Sequence, residues 1–323
     1  MSSDIHFVPV LFEKQLSVDA PTKVWLADTP VVLVRSADAI RAYEDFCPHR
    51  GAPLSKGFAK DGVLTCSYHG WEFHPDGKNK CVPVKDATVD CALTVIHVQV
   101  RYGIIWISKH ADAVLPALSD ETPAFTLNGK IHAGILNTLE NFLEGSHTHY
   151  VHDGLVRSKK AARQKIEATL IPSETGFSVH YQTEPPKGLI TFLTPARFKN
   201  MRAVSTYIYP NISVLEYRND SNKLVARIEG ILSEQRTKTN YLARIYLHVG
   251  FLTPLATWIA KPIFKKIIHQ DKVILELQQK NLQRFKQQRF VSDETDAVGC
   301  ELQKWLYNKE QRAIKPFNFT VHW

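Results

Sequence analysis

Two short loops near the N-terminus hold the most specific chemistry in the sequence. Cys47-Pro48-His49 and Cys66-Ser67-Tyr68-His69 each offer one thiolate and one imidazole, with sixteen residues between His49 and Cys66. That set suits a [2Fe–2S] cluster with two cysteines on one iron and two histidines on the other. Neutral imidazole in place of thiolate removes negative charge and raises the reduction potential above that of an all-cysteine cluster. A structural zinc site can use the same four residues. Zinc knuckles, however, usually pair cysteine with cysteine and histidine with histidine. The mixed knuckles therefore favour two irons, and zinc stands as the alternative. Cys81, Cys91 and Cys300 match no ligand position and read as ordinary thiols. Five cysteines without regular spacing point away from a disulfide framework.

A second constellation lies in Asn141-Phe-Leu-Glu144-Gly-Ser-His147-Thr-His149-Tyr-Val-His152. Non-haem Fe(II) oxygenases bind iron with two histidines and one carboxylate on one face, which leaves positions open for O2 and substrate. On a helix, Asn141, Glu144 and His147 share a face and His149 points away from it. His152 would stand about 140° round from His147 on a regular helix, so the helix must end or distort for both to bind one ion. Asp153-Gly154 is a plausible stop. Taken by themselves, such histidines could equally fill a polar interior. The carboxylate has two candidates. Glu144 is close in sequence. Asp271 lies in the series Phe264, Ile268, Asp271, Leu275, Gln278, Leu282, Phe285, spaced by fours and threes as one buried helical seam. A carboxylate in an apolar stripe is costly unless it is paired or binds a metal; the bland reading is a buried salt bridge.

The runs CPHRGAPL (Cys47 to Leu54) and CSYHGWEF (Cys66 to Phe73) resemble the two cluster-binding loops of the Rieske non-haem iron oxygenases. In such loops Gly51 and Gly70 would let the backbone approach the cluster sulfurs and donate hydrogen bonds, while Trp71 and Phe73 would shield it. The 141–152 run is similar to the family pattern N-x2-D-x2-H-x4-H, with Glu144 where aspartate is usual, and QDKVILELQQ (Gln270 to Gln279) is similar to its third-ligand helix. The resemblance implies Cys47, His49, Cys66 and His69 as cluster ligands, and His147, His152 and Asp271 as ligands of a mononuclear Fe(II). It implies Asn141 and Glu144 as catalytic residues, with Glu144 linking His69 of one chain to His147 or His152 of the next in a homotrimer. It also implies electrons from a separate NAD(P)H-dependent reductase, with a ferredoxin in some systems, and activation of O2 against a small organic substrate. In length the chain is closer to single-subunit oxygenases such as vanillate O-demethylase than to ring-dihydroxylating subunits. Monooxygenation or oxidative demethylation of an aromatic or hydrophobic molecule is therefore expected ahead of cis-dihydroxylation. The non-enzyme alternative is a Rieske electron-transfer protein without the second iron.

The elements that must position these residues point to an α+β chain. Residues 1–112 read as an all-β cluster domain with strands at Val31–Arg35, Gly62–Cys66, Val95–Val100 and Gly103–Ser108, and turns at Asp61-Gly62 and Pro75-Asp76-Gly77. Residues 113–323 read as a catalytic domain in which an antiparallel sheet is flanked by helices. Its expected elements are a helix over about 135–150, strands between 165 and 250, a long helix over about Lys261–Arg289 and a short one at Glu301–Asn308. The linker candidate is Lys109–Pro123. Phe192, Phe198, Tyr207 and Tyr209 could line an aromatic pocket, although aromatics on strands more often form core.

The chain has 323 residues, 44% of them hydrophobic, and a net charge of +8. Its basic residues concentrate modestly at Arg157–Lys165 and Lys261–Arg289, without the interleaved aromatics of a base-stacking surface, so nucleic acid is not an expected partner. A basic face could instead meet an acidic electron carrier. The start MSSDIHFVPV lacks the features of a secretory signal, and a cytoplasmic location is expected. Phe251 to Lys266 could form a membrane-surface helix, given Trp258, Phe264 and the lysines; a core-facing helix is preferred, because Ile267, Ile268 and Leu275 continue the stripe. No Gly-rich phosphate loop is present, so the reductant must be handled by another protein.

Overall fold

The computed structural model describes residues 6–37, 39–157, 163–182, 201–286 and 290–322. Contacts divide the chain between Asp120 and Glu121 into two compact units. This boundary lies later than the expected 112/113. The reason is local: His6 bridges to Val114 in parallel, and Phe7 N donates to Val114 O at 3.1 Å, which ties the chain beyond 112 to the first unit.

Among the described residues of the first unit, ten strands form two antiparallel sheets. These are β1 (Val8–Phe12), β2 (Thr22–Leu26), β3 (Thr29–Arg35), β4 (Ile40–Glu44), β5 (Phe58–Lys60), β6 (Val63–Thr65), β7 (Glu72–Phe73), β8 (Asn79–Cys81), β9 (Val95–Arg101) and β10 (Ile104–Ser108). The order is β1-β10-β9-β4-β3-β2 in one sheet and β5-β6-β7-β8 in the other. Asp61 and Gly62 both have positive φ, 50° and 79°, which is what a two-residue hairpin turn between β5 and β6 requires. The expected strands are all present within one or two residues of their anticipated ends.

In the second unit the described strands are β11 (Phe125–Ile131), β12 (Lys165–Ser173), β13 (Gly176–Tyr181), β14 (Met201–Ile208), β15 (Ile212–Asn219), β16 (Leu224–Gln235), β17 (Lys238–Leu247) and β18 (Phe317–His322). They form one antiparallel sheet in the order β11-β17-β16-β15-β14-β13-β12-β18. The helices are α1 (Ile135–Leu143), α2 (Thr253–Phe285) and α3 (Ala297–Tyr307). Ile135, Leu139 and Leu143 of α1 and Val298, Leu302 and Trp305 of α3 pack with Leu170, Val179 and Tyr207 of the sheet in one buried core. The strand period of two sorts the sheet's faces. Ser213, Leu215, Tyr217, Ile228, Gly230, Tyr241, Ala243 and Ile245 turn to the side of α1 and α2. Their neighbours Glu229 and Arg244, directly opposite across β16 and β17, form a buried ion pair at 2.9 Å, completed by Tyr246 Oη donating to Glu229 at 3.0 Å.

Three helix expectations change. The first helix stops at Leu143, well before Asp153-Gly154: Glu144 is extended at φ −92°, ψ 156°, and Ser146–His149 form a short 3-10 turn. Asn141, Glu144 and His147 therefore do not share one regular helix. The long helix begins at Thr253, with Pro254 in its first turn, where a missing N–H leaves no helical bond unmade. Its seam buries Asp271 and Leu275 but leaves Gln278 exposed and Phe285 71% exposed. Among the described residues, no helix is long and apolar enough to cross a membrane.

Candidate metal centres

The two cysteine loops fold as copies of one another. After β4, Cys47 N donates to Ala52 O (2.9 Å) and Gly51 N donates to Cys47 O (2.8 Å). Between β6 and β7, Cys66 N donates to Trp71 O (2.9 Å) and Gly70 N donates to Cys66 O (3.0 Å). Both glycines are left-handed, at φ 72° and 71°. A Cβ at Gly51 would stand 2.9 Å from the Phe46 ring, and one at Gly70 would stand 3.1 Å from Pro83 Cγ. The amides of Gly51 and Gly70 thus serve the cysteine carbonyls and close each loop tightly. Buried Asp45 fixes the far end of the first loop by accepting from Ser55 N and Oγ, both at 2.7 Å, and by pairing with Lys23 at 3.2 Å.

Matching loops place matching residues together. Cys47 and Cys66 are buried, while His49 is half-buried and His69 exposed, with ring centroids 4.7 Å apart. Burial, and then the neighbouring Cys66, push the Cys47 thiol up to about 11. His49 is held below the usual imidazole value by desolvation, then by the charges of His69 and Arg50. Trp71 stacks on His49 at 4.4 Å and 7°, and Phe73 is buried beneath. His49 Nδ1 is buried without a hydrogen-bond partner, as a ligand atom would be. A single zinc would draw its four ligand atoms together at bonds of roughly 2.0–2.3 Å. Among the described residues, however, the group whose ligand atoms all lie within 4.8 Å of one another is a different one. The wider cysteine-histidine set fits a two-iron cluster.

That tight group is His147, His152 and Asp271. His147 sits on the 3-10 turn after α1, His152 just beyond it, and Asp271 in the middle of α2. Asp271 Oδ1 lies 3.0 Å from His152 Nε2 and 3.5 Å from His147 Nε2. The outer nitrogens are already committed. His147 Nδ1 donates to Glu144 Oε1, and His152 Nδ1 donates to Gln270 Oε1 at 3.0 Å. Those bonds leave Nε2 of each ring as the nitrogen turned toward Asp271. Two ring nitrogens and a carboxylate oxygen thus converge inside the protein. Around a cation, this is two histidines and one carboxylate on one face of a metal.

Glu144 is turned to the opposite side of His147, and its other oxygen accepts from Ser146 N. Burial alone would raise its carboxyl, but the hydrogen bond and charge of His147 and the Ser146 amide outweigh that and hold it low. Asn141, on the last turn of α1, reaches the same cavity with its Oδ1 buried and unpartnered. His149 is buried away from the group.

A cavity of about 160 Å³ opens on the triad. Phe142, Tyr217, Tyr241, Phe264, Ile267 and Ile268 give it mostly apolar walls, with Thr148, Ser205 and Ser213 as polar points. Gly230 leaves room for Phe142, whose ring carbon would stand 3.2 Å from a Cβ there. Of the aromatics that could have lined it, Tyr207 and Tyr209 do not, in keeping with the preference of strand aromatics for core. Tyr207 is fully buried in the core, and Tyr209 lies against Trp305 and beneath Lys309. Phe192 and Phe198 lie outside the described residues.

A family model for the Rieske [2Fe-2S] domain matches residues 6–98, and one for the vanillate O-demethylase oxygenase C-terminal domain matches residues 131–312, more than half of the chain. The chain belongs to the Rieske oxygenase family. It is 29% identical over 173 residues to a vanillate O-demethylase oxygenase subunit of a Pseudomonas species (strain HR199), covering 50% of this chain and 49% of that one. It is 25% identical over 286 residues to the 4beta-methylsterol monooxygenase of Methylococcus capsulatus, covering 77% and 73%. The chain spans about half the length of the first curated relatives it matches. In fold it is similar to dicamba monooxygenase bound to dicamba, at a TM-score of 0.75 and 20% identity, covering 96% of this chain and 98% of the other. The Rieske oxygenase fold accounts for an all-β unit followed by an antiparallel sheet with helices.

Two residues of the second site were not anticipated from the sequence. Gln270, which holds His152, adjoins Asp271 and could have been found from that. Arg157, counted as part of a basic surface, is instead buried; its Nη1 donates to Gly145 O (3.1 Å) and Thr148 Oγ1 (2.7 Å), bracing the turn that carries His147. Nothing in its sequence neighbourhood marks it.

Proposed function

We propose that this chain is the terminal oxygenase component of a multi-protein system and acts on a small aromatic or hydrophobic molecule by monooxygenation or oxidative demethylation. The observation that carries the reading is the convergence of His147 Nε2, His152 Nε2 and Asp271 Oδ1 beside an apolar cavity. Those three would hold ferrous iron, which supplies open positions for O2 beside the substrate. Cys47, Cys66, His49 and His69 would hold a [2Fe–2S] cluster, which supplies electrons at a raised potential.

The remaining roles fall to the chain itself. Glu144 and Gln270 keep the Nδ1 protons in place, so both Nε2 lone pairs stay directed inward. Phe142, Tyr241 and Phe264 exclude water and hold an apolar substrate. Asn141, Thr148 and Ser205 orient its polar atoms. A separate NAD(P)H-dependent reductase, alone or with a ferredoxin, would deliver electrons, and we read the system as cytoplasmic. We further read the chain as a homotrimer on its family resemblance, with Glu144 linking His147 to the exposed His69 of a neighbouring copy.

Iron and acid-labile sulfide are to be measured on anaerobically prepared protein, with visible and EPR spectra of the reduced form. About three irons and two sulfides per chain with a Rieske-type signal is the expected result. About two irons and two sulfides, unchanged after adding Fe(II), would overturn the oxygenase in favour of an electron-transfer protein.

A further inference from the structure

The start of α2 carries apolar side chains that the fold leaves outside. Phe251 is 91% exposed and Trp258 77%, with Leu252 and Leu255 between them also exposed. The expectation that this stretch faces the core holds for Ala256 and Ala260, which are buried, but not for these four. On a helix turning about 100° per residue, Leu255, Trp258, Pro262, Lys265, Lys266 and His269 lie along one side. All six are exposed. The opposite side carries Phe264, Ile267 and Asp271 to the cavity. The outer side is graded along its length, apolar at the N-terminal end and basic from Lys261 onward. Between Val249 and Gln270 there are three lysines and no acidic residue. A cleft beside it, between β11 and α2, is lined by Lys130, Lys265, His269 and Lys272, the last of these 3.8 Å from Glu276.

We propose that the outer side of α2 docks this protein on an anionic lipid surface, with Phe251, Leu255 and Trp258 entering the acyl boundary and Lys261, Lys265 and Lys266 meeting the phosphates. An interfacial helix buries its apolar part by roughly 5–10 Å and places cations at the headgroups. Leu255 and Lys265 are separated by about 15 Å of helix, enough for the two ends of one tilted helix to sit at different depths. Tryptophan favours that boundary, where one edge of its ring stays wet. The absence of acidic groups from the stretch removes the repulsion that an anionic surface would otherwise impose. A second copy of the chain would cover the apolar end equally well but would leave the three lysines facing a chain that itself carries +8. Anionic lipid satisfies both halves. The proposal stands on the surface alone and does not depend on the reaction assigned to the cavity.

The test is flotation of the full-chain holoprotein with vesicles of phosphatidylcholine mixed with phosphatidylglycerol, and with phosphatidylcholine alone. The wild type should float with the mixed vesicles and less with the neutral ones. Changing Phe251→Ser, Leu255→Ser and Trp258→Ser together should lower binding by about tenfold or more. Changing Lys265→Glu with Lys266→Glu should remove the preference for the anionic vesicles. Both variants should keep the visible absorption of the cluster, because the altered side chains are exposed. Absence of wild-type flotation, or flotation unchanged by either variant, would overturn the proposal. So would a fall in oligomeric mass of the triple variant with no vesicle binding by the wild type, which would make the patch a contact between copies.

Discussion

Asp271 Oδ1 lies 3.0 Å from His152 Nε2, on the side of the ring away from the Nδ1 that Gln270 Oε1 already holds. That arrangement is what two ligands of one cation require. Asp271→Ala should therefore abolish binding of the mononuclear iron and leave the cluster spectrum intact. Glu144→Gln should retain that iron but lower turnover by about a hundredfold or more, since it weakens the hold on His147 without touching the inner face. Metal analysis beside steady-state turnover checks both. An iron-free Glu144→Gln with a loaded Asp271→Ala would reverse the assignment.

Gln270 reaches the candidate metal site through His152. Gln270→Leu removes the acceptor for Nδ1 and frees the ring to turn, so Fe(II) affinity should fall by about tenfold to a hundredfold. Gln270→Glu, which restores an acceptor, should recover most of it. Titration of the apo site with Fe(II) under nitrogen is the measurement, and equal affinities for the Leu and Glu variants would show that Gln270 plays no part.

Gly70→Ala puts a side chain on a left-handed residue and brings its Cβ to 3.1 Å from Pro83 Cγ. A loss of roughly 1–2 kcal/mol is expected, read as a shift of the denaturation midpoint. The second cysteine loop should lose order first, seen as faster cluster bleaching. An unchanged bleaching rate would mean that the Gly70 conformation does not limit cluster retention.

Glu140, which faces Glu144 and Asp296, has its carboxyl pushed up to about 7, first by burial and then by those two charges. The folded protein holds this proton where the unfolded chain has already released it. Stability from Glu140 is therefore full below its unfolded pKa of about 4.3, falls as pH rises toward the folded value, and is flat beyond it. Glu140→Gln should flatten this slope and stabilise the protein at pH 8 relative to the wild type. Midpoints of chemical unfolding at pH 5 and pH 8 test it; a wild-type and variant pair with the same pH dependence would refute it.

Legibility from the sequence depended on how local each signal was. The hairpin at Asp61-Gly62, the two cysteine loops and the strands around them could be read because turn chemistry and alternation act between near neighbours. The end of α1 was missed although Gly145, one residue past its cap, is a local stop signal; there Glu144 accepts from His147 and the Ser146 amide. The long helix begins at Thr253, ahead of the expected Lys261, with Pro254 in its first turn.

The sequence by itself determined which residue types were offered: two cysteine-histidine loops, two histidines five apart, and an aspartate in an apolar helical stripe, where a lone carboxylate would be costly. Only the tertiary structure decided which carboxylate meets the two histidines. Glu144 is the nearer in sequence, but the turn after α1 directs it to Nδ1, while the packing of α2 across the sheet brings Asp271 to Nε2. Tertiary structure also turned the two cysteines inward and His69 outward, and left Phe251 and Trp258 in water. The physical reason is the same in each case. A residue's chemistry is its own, whereas the direction in which it faces is set by elements it meets only after folding.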